Sequence, residues 1–256
     1  MATTVGRRTI SDAHGTSVAT FLPKVRDGRS WADRVEVLGS NAAGPIFDQM
    51  PGWAVSCQAV LAAQLVSLGA VVLRRAVWMS RDLGDSPPPA TWSRLLPVPA
   101  LRLTTCDRPA RDLLPAWRAA YPVTHPDHFA DDDRAALRVR LVPQLAGKLH
   151  GPLLPMSALV TDAANRVVAA VIVNDLAGEP PWSGPWITDL FRHPDPVYSG
   201  LGTLLLRRTL AHAAEAGLPT VSLVVTEENP AQRVYTRQGF RAIDTTVTVL
   251  IPDGPP

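Results

Sequence analysis

Two short stretches late in the chain combine residue types and spacings that can do chemistry. The first is Val197-Tyr198-Ser199-Gly200-Leu201-Gly202-Thr203. Its two glycines let main-chain amides come close to a ligand, and the amphipathic run behind it (Leu204, Leu205, Leu210) predicts a helix whose first N–H groups converge on one point. Such a point suits a phosphate or pyrophosphate. The stretch lacks both the Gly-Lys-Ser/Thr ending of a P-loop and the third glycine of a dinucleotide fingerprint. The second stretch runs from Glu228 to Phe240. Asn229 followed by Pro230 reads as a helix N-cap with proline in the first turn, and Gly239 reads as the C-terminal stop. Those capping roles do not account for Tyr235, six residues beyond the cap.

The elements that must position these residues follow from the apolar pattern. In the second part of the chain, strands are predicted at Ala100–Thr104, Ser157–Thr161, Val167–Val173, Trp186–Phe191, Val221–Val225 and Thr245–Ile251. Helices are predicted at Arg108–Ala120, Asp131–Leu141, Gly202–Ala216 and Pro230–Gln238. Consecutive strands in the middle and helix-linked strands at the end imply an α/β fold, with a mixed sheet carrying helices on its faces. Before this region, the prolines of Ser86-Pro87-Pro88-Pro89-Ala90 can continue neither a helix nor a central strand. Residues 86–97 are therefore read as a linker, 1–85 as an N-terminal extension and 98–256 as the main domain. In the extension a strand near Arg34–Leu38, a helix at Ser56–Leu68 and a strand at Val71–Met79 make a thin core. Residues 1–30 show little apolar periodicity and are read as partly disordered.

The bulk properties narrow the function classes. The formal net charge is +2 over 256 residues, with the arginines spread out, which leaves no electrostatic footprint for nucleic acid. The longest apolar stretch, Trp53–Val72, is broken by Ser56, Gln58, Gln64 and Ser67, so no membrane span is expected. Cys57 and Cys106 read as buried thiols in a reducing compartment, and a cytoplasmic location is expected.

The two motifs together resemble the GNAT superfamily of N-acyltransferases in order and spacing. The resemblance covers about Val98 to Ile251 and is sharpest between Trp186 and Phe240. In that family the loop reads Gln/Arg-x-x-Gly-x-Gly/Ala, matched here at Gly200 and Gly202, with Val197 where Gln or Arg is usual. The later helix reads Asn-x-x-Ala/Ser-x-x-x-Tyr-x-x-x-Gly-Phe. It is matched at Ala231, Tyr235, Gly239 and Phe240, with Asn229 one place nearer.

The resemblance implies a GNAT-like acyl-CoA N-acyltransferase fold with an N-terminal extension, itself readable as a degenerate half of a second such domain. It implies acetyl-CoA as co-substrate, no metal, and a small-molecule or peptide amine as acceptor; a homodimer is compatible with it. The donor would be held by Ser199, Gly200, Leu201, Gly202, Thr203 and Asn229. Main-chain N–H groups near Phe191 and Arg192 would polarise the thioester carbonyl. Tyr235 would be the acid for the departing thiolate, against the plainer reading of a packing tyrosine.

For the base, the usual family position holds Thr188 here, which leaves Asp189 on the same strand and Glu228 (with Glu227) at the end of the next. His125-Pro126-Asp127-His128 is a poor metal pair because of its proline and loop setting, and is read as lining the acceptor pocket, as is the loop Glu179–Pro185 with Trp182. A second reading keeps the fold but makes the chain a sensor or scaffold that binds acyl-CoA without turnover.

Overall fold

The computed structural model describes residues 6–26, 28–178 and 182–254. In chain order the elements begin β1 (Arg8–Ser11), β2 (Ser17–Arg26), β3 (Arg29–Val37), α1 (Ala43–Gln49), β4 (Ala54–Gln58), α2 (Ala59–Ser67) and β5 (Val71–Asp82). They continue with β6 (Arg102–Thr105), α3 (Ala110–Ala120), α4 (Asp133–Ala136), α5 (Val142–Leu145), β7 (Ala158–Thr161) and β8 (Val167–Leu176). The last are β9 (Gly184–Arg192), α6 (Leu201–Glu215), β10 (Thr220–Thr226), α7 (Ala231–Arg237) and β11 (Arg241–Leu250). Two compact units result: one takes the chain up to Val77 and again from Asp244 onward, the other takes Trp78–Ile243.

In the second unit β6, β7, β8 and β9 pair antiparallel in sequence, and β10 joins β9 in parallel. Eight consecutive residues of β8, Val167–Asn174, are buried, as expected of a strand covered on both faces. One cover is α3, whose Leu113, Leu114 and Trp117 pack with Leu141, Ala170, Ile172 and Phe191. Asp132 caps α4 by accepting from the Ala135 N–H at 2.7 Å, and a π-turn over Leu137–Leu141 joins α4 to α5. The other long helix, α6, buries Leu205, Leu206 and Leu210 completely.

The first unit is richer than the sequence suggests. Residues 8–26, read above as partly disordered, form β1 and most of an antiparallel β1–β2–β3 meander. Asp12 closes its first turn by accepting from the N–H groups of His14 and Thr16. Charges at the strand ends, such as Lys24 and Asp33 paired at 2.5 Å, hide the alternation that would betray strands. The helix expected over Ser56–Leu68 splits into β4 and α2, because an unbroken apolar run does not distinguish strand from helix. The core is not thin: Phe21, Ile46, Leu61, Leu65, Val247 and Val249 are among its buried residues.

The two units share one topology. In the first, β1–β2–β3 are antiparallel, β3 pairs in parallel with β4 across α1, and α2 leads into β5. In the second, β7–β8–β9 are antiparallel, β9 pairs in parallel with β10 across α6, and α7 leads into β11. The closing strands are exchanged. Residues Trp78–Asp82 of β5 belong to the second unit, where Ser222 Oγ donates to Ser80 Oγ at 3.0 Å. Thr246–Leu250 of β11 belong to the first, antiparallel to β4. Among the described residues no helix is long and apolar enough to cross a membrane.

Candidate active site

The site is built where β9 leaves β10. The register with β8 pairs Ile172 with Asp189 and Val173 with Ile187, so Thr188 is an extra residue and forms a bulge. The parallel ladder with β10 consists of Trp186↔Ser222 and Ile187↔Leu223; beyond the bulge the strands part. Thr188 is fixed by donating to Asn174 Oδ1 at 2.7 Å and accepting from Gln144 Nε2 at 2.8 Å, both partners being buried. It holds the bulge and offers no acid or base.

Beyond β9, Arg192 Nη1 donates to the His193 carbonyl at 2.8 Å, and Asp195 accepts from the Val197 N–H at 3.0 Å. Gly200 then turns the chain into α6 with φ +83°, a left-handed conformation that glycine adopts without strain. No side chain caps α6, so the first-turn N–H groups of Leu201, Gly202 and Thr203 face outward. A methyl group added at Gly200 or Gly202 would meet nothing within 4 Å, so the entrance is open.

A buried polar cluster lies beside the parted strands. Asp189 accepts from Trp117 Nε1 at 2.8 Å and from the Tyr121 hydroxyl at 2.6 Å, both from α3 and its end. Asp127 accepts from Thr226 Oγ1 at 2.5 Å and Asn229 Nδ2 at 2.9 Å, tying the loop after α3 to the end of β10. Tyr235 is 8% exposed on α7, with its ring edge-on to Phe240 at 5.8 Å.

Burial raises the Asp189 carboxyl above the usual range. The Tyr121 and Trp117 hydrogen bonds and the Arg140 charge oppose this, and the Asp127 charge adds to it. Burial also pushes the Tyr235 phenol well up, assisted by the charges of Asp189 and Asp127. Tyr121 is raised by burial and then by the Asp189 charge beside it. His125, edge-on to Tyr121 at 4.9 Å, is lowered by burial, with Asp127 opposing and His128 assisting.

The expected site residues therefore fall into groups. Tyr235 and Asp189 belong to one electrostatic cluster. Phe191 is a core residue packed with α3, while Ser199, Gly200, Leu201, Gly202 and Thr203 form the entrance to α6. Asn229 has two protein partners, donating to Asp127 and accepting from the Ala231 N–H at 2.8 Å. Glu227 and Glu228 are exposed on the turn after β10. Glu179 and the two prolines after it lie outside the described residues, while Trp182 stands edge-on to Trp78 at 4.2 Å.

Sequence reading missed Trp117 and Tyr121 as site residues; four apart on a helix ending in a turn, they share one face, which was the available signal. Among the described residues no group of three or more His, Cys, Asp or Glu could hold a metal.

The Acetyltransferase (GNAT) family model matches residues 111–240, just over half of the chain and the whole of the site. The chain belongs to the GNAT acetyltransferase family. Its fold is that of a GCN5-related N-acetyltransferase from Sphaerobacter thermophilus, with TM-score 0.60 and 17% identity over 96% of this chain and 81% of that one. A tandem GNAT protein from the clavulanic acid biosynthesis pathway gives TM-score 0.61 and 16% identity over 96% and 82%. A GCN5-related N-acetyltransferase from Kribbella flavida gives 0.56 and 16% over 97% and 90%. At these identities the likeness is of fold alone. No curated protein matches the sequence.

Proposed function

We propose that the chain transfers an acetyl or similarly short acyl group from acyl-CoA to a primary amine of a small molecule or peptide, by direct attack within a ternary complex. The observation that carries this reading is the uncapped, glycine-entered start of α6 following the strand that parts from β10. The outward N–H groups of Leu201, Gly202 and Thr203 suit the pyrophosphate, and the freed edges of β9 and β10 suit an extended chain. Main-chain N–H groups around Phe191 and Arg192 would polarise the thioester carbonyl as negative charge builds on its oxygen.

Tyr235 then faces the departing sulfur. Its phenol, raised by burial and by two carboxylates, stays protonated through the neutral range and serves the developing thiolate as hydrogen-bond donor and acid. The region up to residue 85 is, on this reading, a degenerate second half of the same architecture, since it repeats the strand order and parallel pairing without a comparable helix entrance. The acyl-transfer chemistry belongs, on this reading, to the unit Trp78–Ile243, because the closing strand that the sequence assigns to residues 98–256 lies with the first unit from Asp244 onward.

The test is acetyl-CoA binding by calorimetry together with amine-dependent thiol release by the wild-type chain and a Tyr235→Phe variant. We expect binding by both and roughly 10²-fold slower release by the variant, the lower end of the usual acid–base contribution. A phenylalanine variant as fast as wild type would remove Tyr235 from the mechanism. One feature favours a second reading, a donor-binding module without turnover: Thr188 occupies the family's usual base position and is held in hydrogen bonds. Binding without thiol release for any amine would select it.

A further inference from the structure

Asp189 is the carboxylate that β9 brings into the cluster, yet it is poorly placed to meet an amine directly. It is 9% exposed, and its two oxygens are taken by Trp117 Nε1 and the Tyr121 hydroxyl. Tyr121 stands at the end of α3, where the chain turns into the loop carrying His125 and Asp127. Because its one hydroxyl proton is committed to Asp189, the phenol oxygen turns only lone pairs toward the rest of the cluster. Trp117 locks Asp189 from the other side, so the tyrosine and carboxylate form a fixed pair and not two independent groups.

We propose that Tyr121 accepts the proton released by the attacking acceptor amine and passes its own proton to Asp189. The inference rests on the acyltransferase reading above. In the step, an acceptor that has already lost its ammonium proton to water attacks the thioester carbon through its nitrogen lone pair. A nitrogen-bound proton moves to the Tyr121 oxygen as the Tyr121 hydroxyl proton moves along the 2.6 Å bond to Asp189 Oδ1. The N–C bond forms, the C–S bond breaks with its electron pair on sulfur, and the Tyr235 proton goes to the thiolate. The proton held by the pair then restores the Tyr235 phenol, so the cycle closes with amide and thiol as products and no proton unaccounted for.

The electrostatics support the division of labour. Burial favours a protonated Asp189, which is what a terminal proton acceptor requires. The same burial, with the carboxylate charge beside it, disfavours a free Tyr121 phenolate, and a proton passed straight through never creates one. The charged or titratable groups beside the pair are Arg140 from the π-turn, Asp127, His125 and His128 from the loop after α3, the last with its Nδ1 2.8 Å from the Tyr121 carbonyl oxygen, and Tyr235 from α7.

The experiment compares the wild-type chain with Tyr121→Phe, Asp189→Asn and His125→Gln. It follows thiol release from acetyl-CoA with ethanolamine, 2-phenylethylamine and lysine amide as acceptors from acid to mildly alkaline pH, with thermal unfolding of each chain. We expect Tyr121→Phe to lower kcat by about 10²–10⁴-fold with KM for acetyl-CoA unchanged. The wild-type rate should fall toward acid with protonation of the amine itself and more steeply once Asp189 takes up a proton; His125→Gln should keep that second, steeper limb and Asp189→Asn should lose it, leaving the amine's limb alone.

A merely structural hydrogen bond would change stability and leave the shape of the pH profile as it was. Tyr121→Phe turning over like wild type, or Asp189→Asn keeping the second, steeper limb, overturns the relay while leaving the acyltransferase reading intact. Should Asp189→Asn fail to fold, Tyr121→Phe decides alone, since its ring preserves the packing and only the hydroxyl is lost. If the wild-type chain binds acetyl-CoA but releases thiol with none of the amines, the acyltransferase reading falls and takes the relay with it.

Discussion

Gly202→Ala should move stability and donor affinity in opposite directions. Gly202 is the second residue of α6, in helical conformation, and an added methyl would meet no protein atom within 4 Å. Replacing glycine by alanine at such a position removes backbone freedom from the unfolded chain and improves helix propensity, together about 0.5–1 kcal/mol in favour of folding. For a chain of this size that is a rise of roughly 1–4 °C in unfolding temperature.

The same methyl would stand where the proposed pyrophosphate approaches the first-turn amides. Losing one hydrogen bond to a charged group costs about 1.5–3 kcal/mol, or roughly 10–150-fold in dissociation constant. Denaturant unfolding followed by tryptophan fluorescence reads the first quantity, and calorimetric titration with acetyl-CoA reads the second. A variant that binds acetyl-CoA as tightly as wild type would refute the α6 entrance as the phosphate cradle. A variant less stable than wild type would refute the account of the open glycine entrance itself.

Two further expectations concern the folded state. Cys57 and Cys106 are free and buried, and burial pushes their thiols up to about 12 and about 11, with Asp107 adding to the second. Neither should react with a thiol reagent in the native chain at pH near 8, and both should react after denaturation. Because the folded pKa values lie above the ordinary 9.0, the stability these thiols contribute is complete below about pH 9. It is lost as pH rises through 11 and 12, so Cys57→Ala should blunt the alkaline fall in unfolding temperature. Gly239→Ala should destabilise by about 1–3 kcal/mol, because Gly239 has φ +85° and the new methyl would lie 2.8 Å from the buried Arg81 Nε. An unchanged denaturation midpoint would refute both the backbone strain at Gly239 and the clash with Arg81.

The parts of the site that sequence alone reveals are those held by local rules. Gly200 is legible because a left-handed turn into a helix calls for glycine. Asn229 and Gly239 are legible because helix caps are read from adjacent residues. The rest depends on long-range contacts: Tyr121 meets Asp189 across 68 residues, and Asp127 meets Asn229 across 102. The spacing of Trp117 and Tyr121 puts them on one helix face, but nothing local says which carboxylate that face meets. Thr188 shows the same limit from another direction, since its bulge exists only in register with β8.

The repeated topology was legible only as the reading of the extension as a degenerate half-domain, for a related reason, and the two units also differ. What the two units share is pairing order, which β-strands of quite different composition satisfy equally well. What they do not share is the entrance to the helix between the parallel strands. In the second unit that helix has fifteen residues and opens at Gly200 with φ +83°; in the first, α1 has seven and opens at Ala42 with φ −80°. Seven residues make about two turns, and Ala42 has neither the left-handed turn nor the missing side chain that brings amides against a phosphate. The buried pair Tyr121 and Asp189 likewise depends on α3, and the first unit has no helix ahead of its meander among the described residues. On the proposed function the chemistry sits in one of the two units only, because the sheet needs only apolar alternation whereas the proposed site needs a glycine entrance, a bulge and a helix delivering two polar rings to one carboxylate.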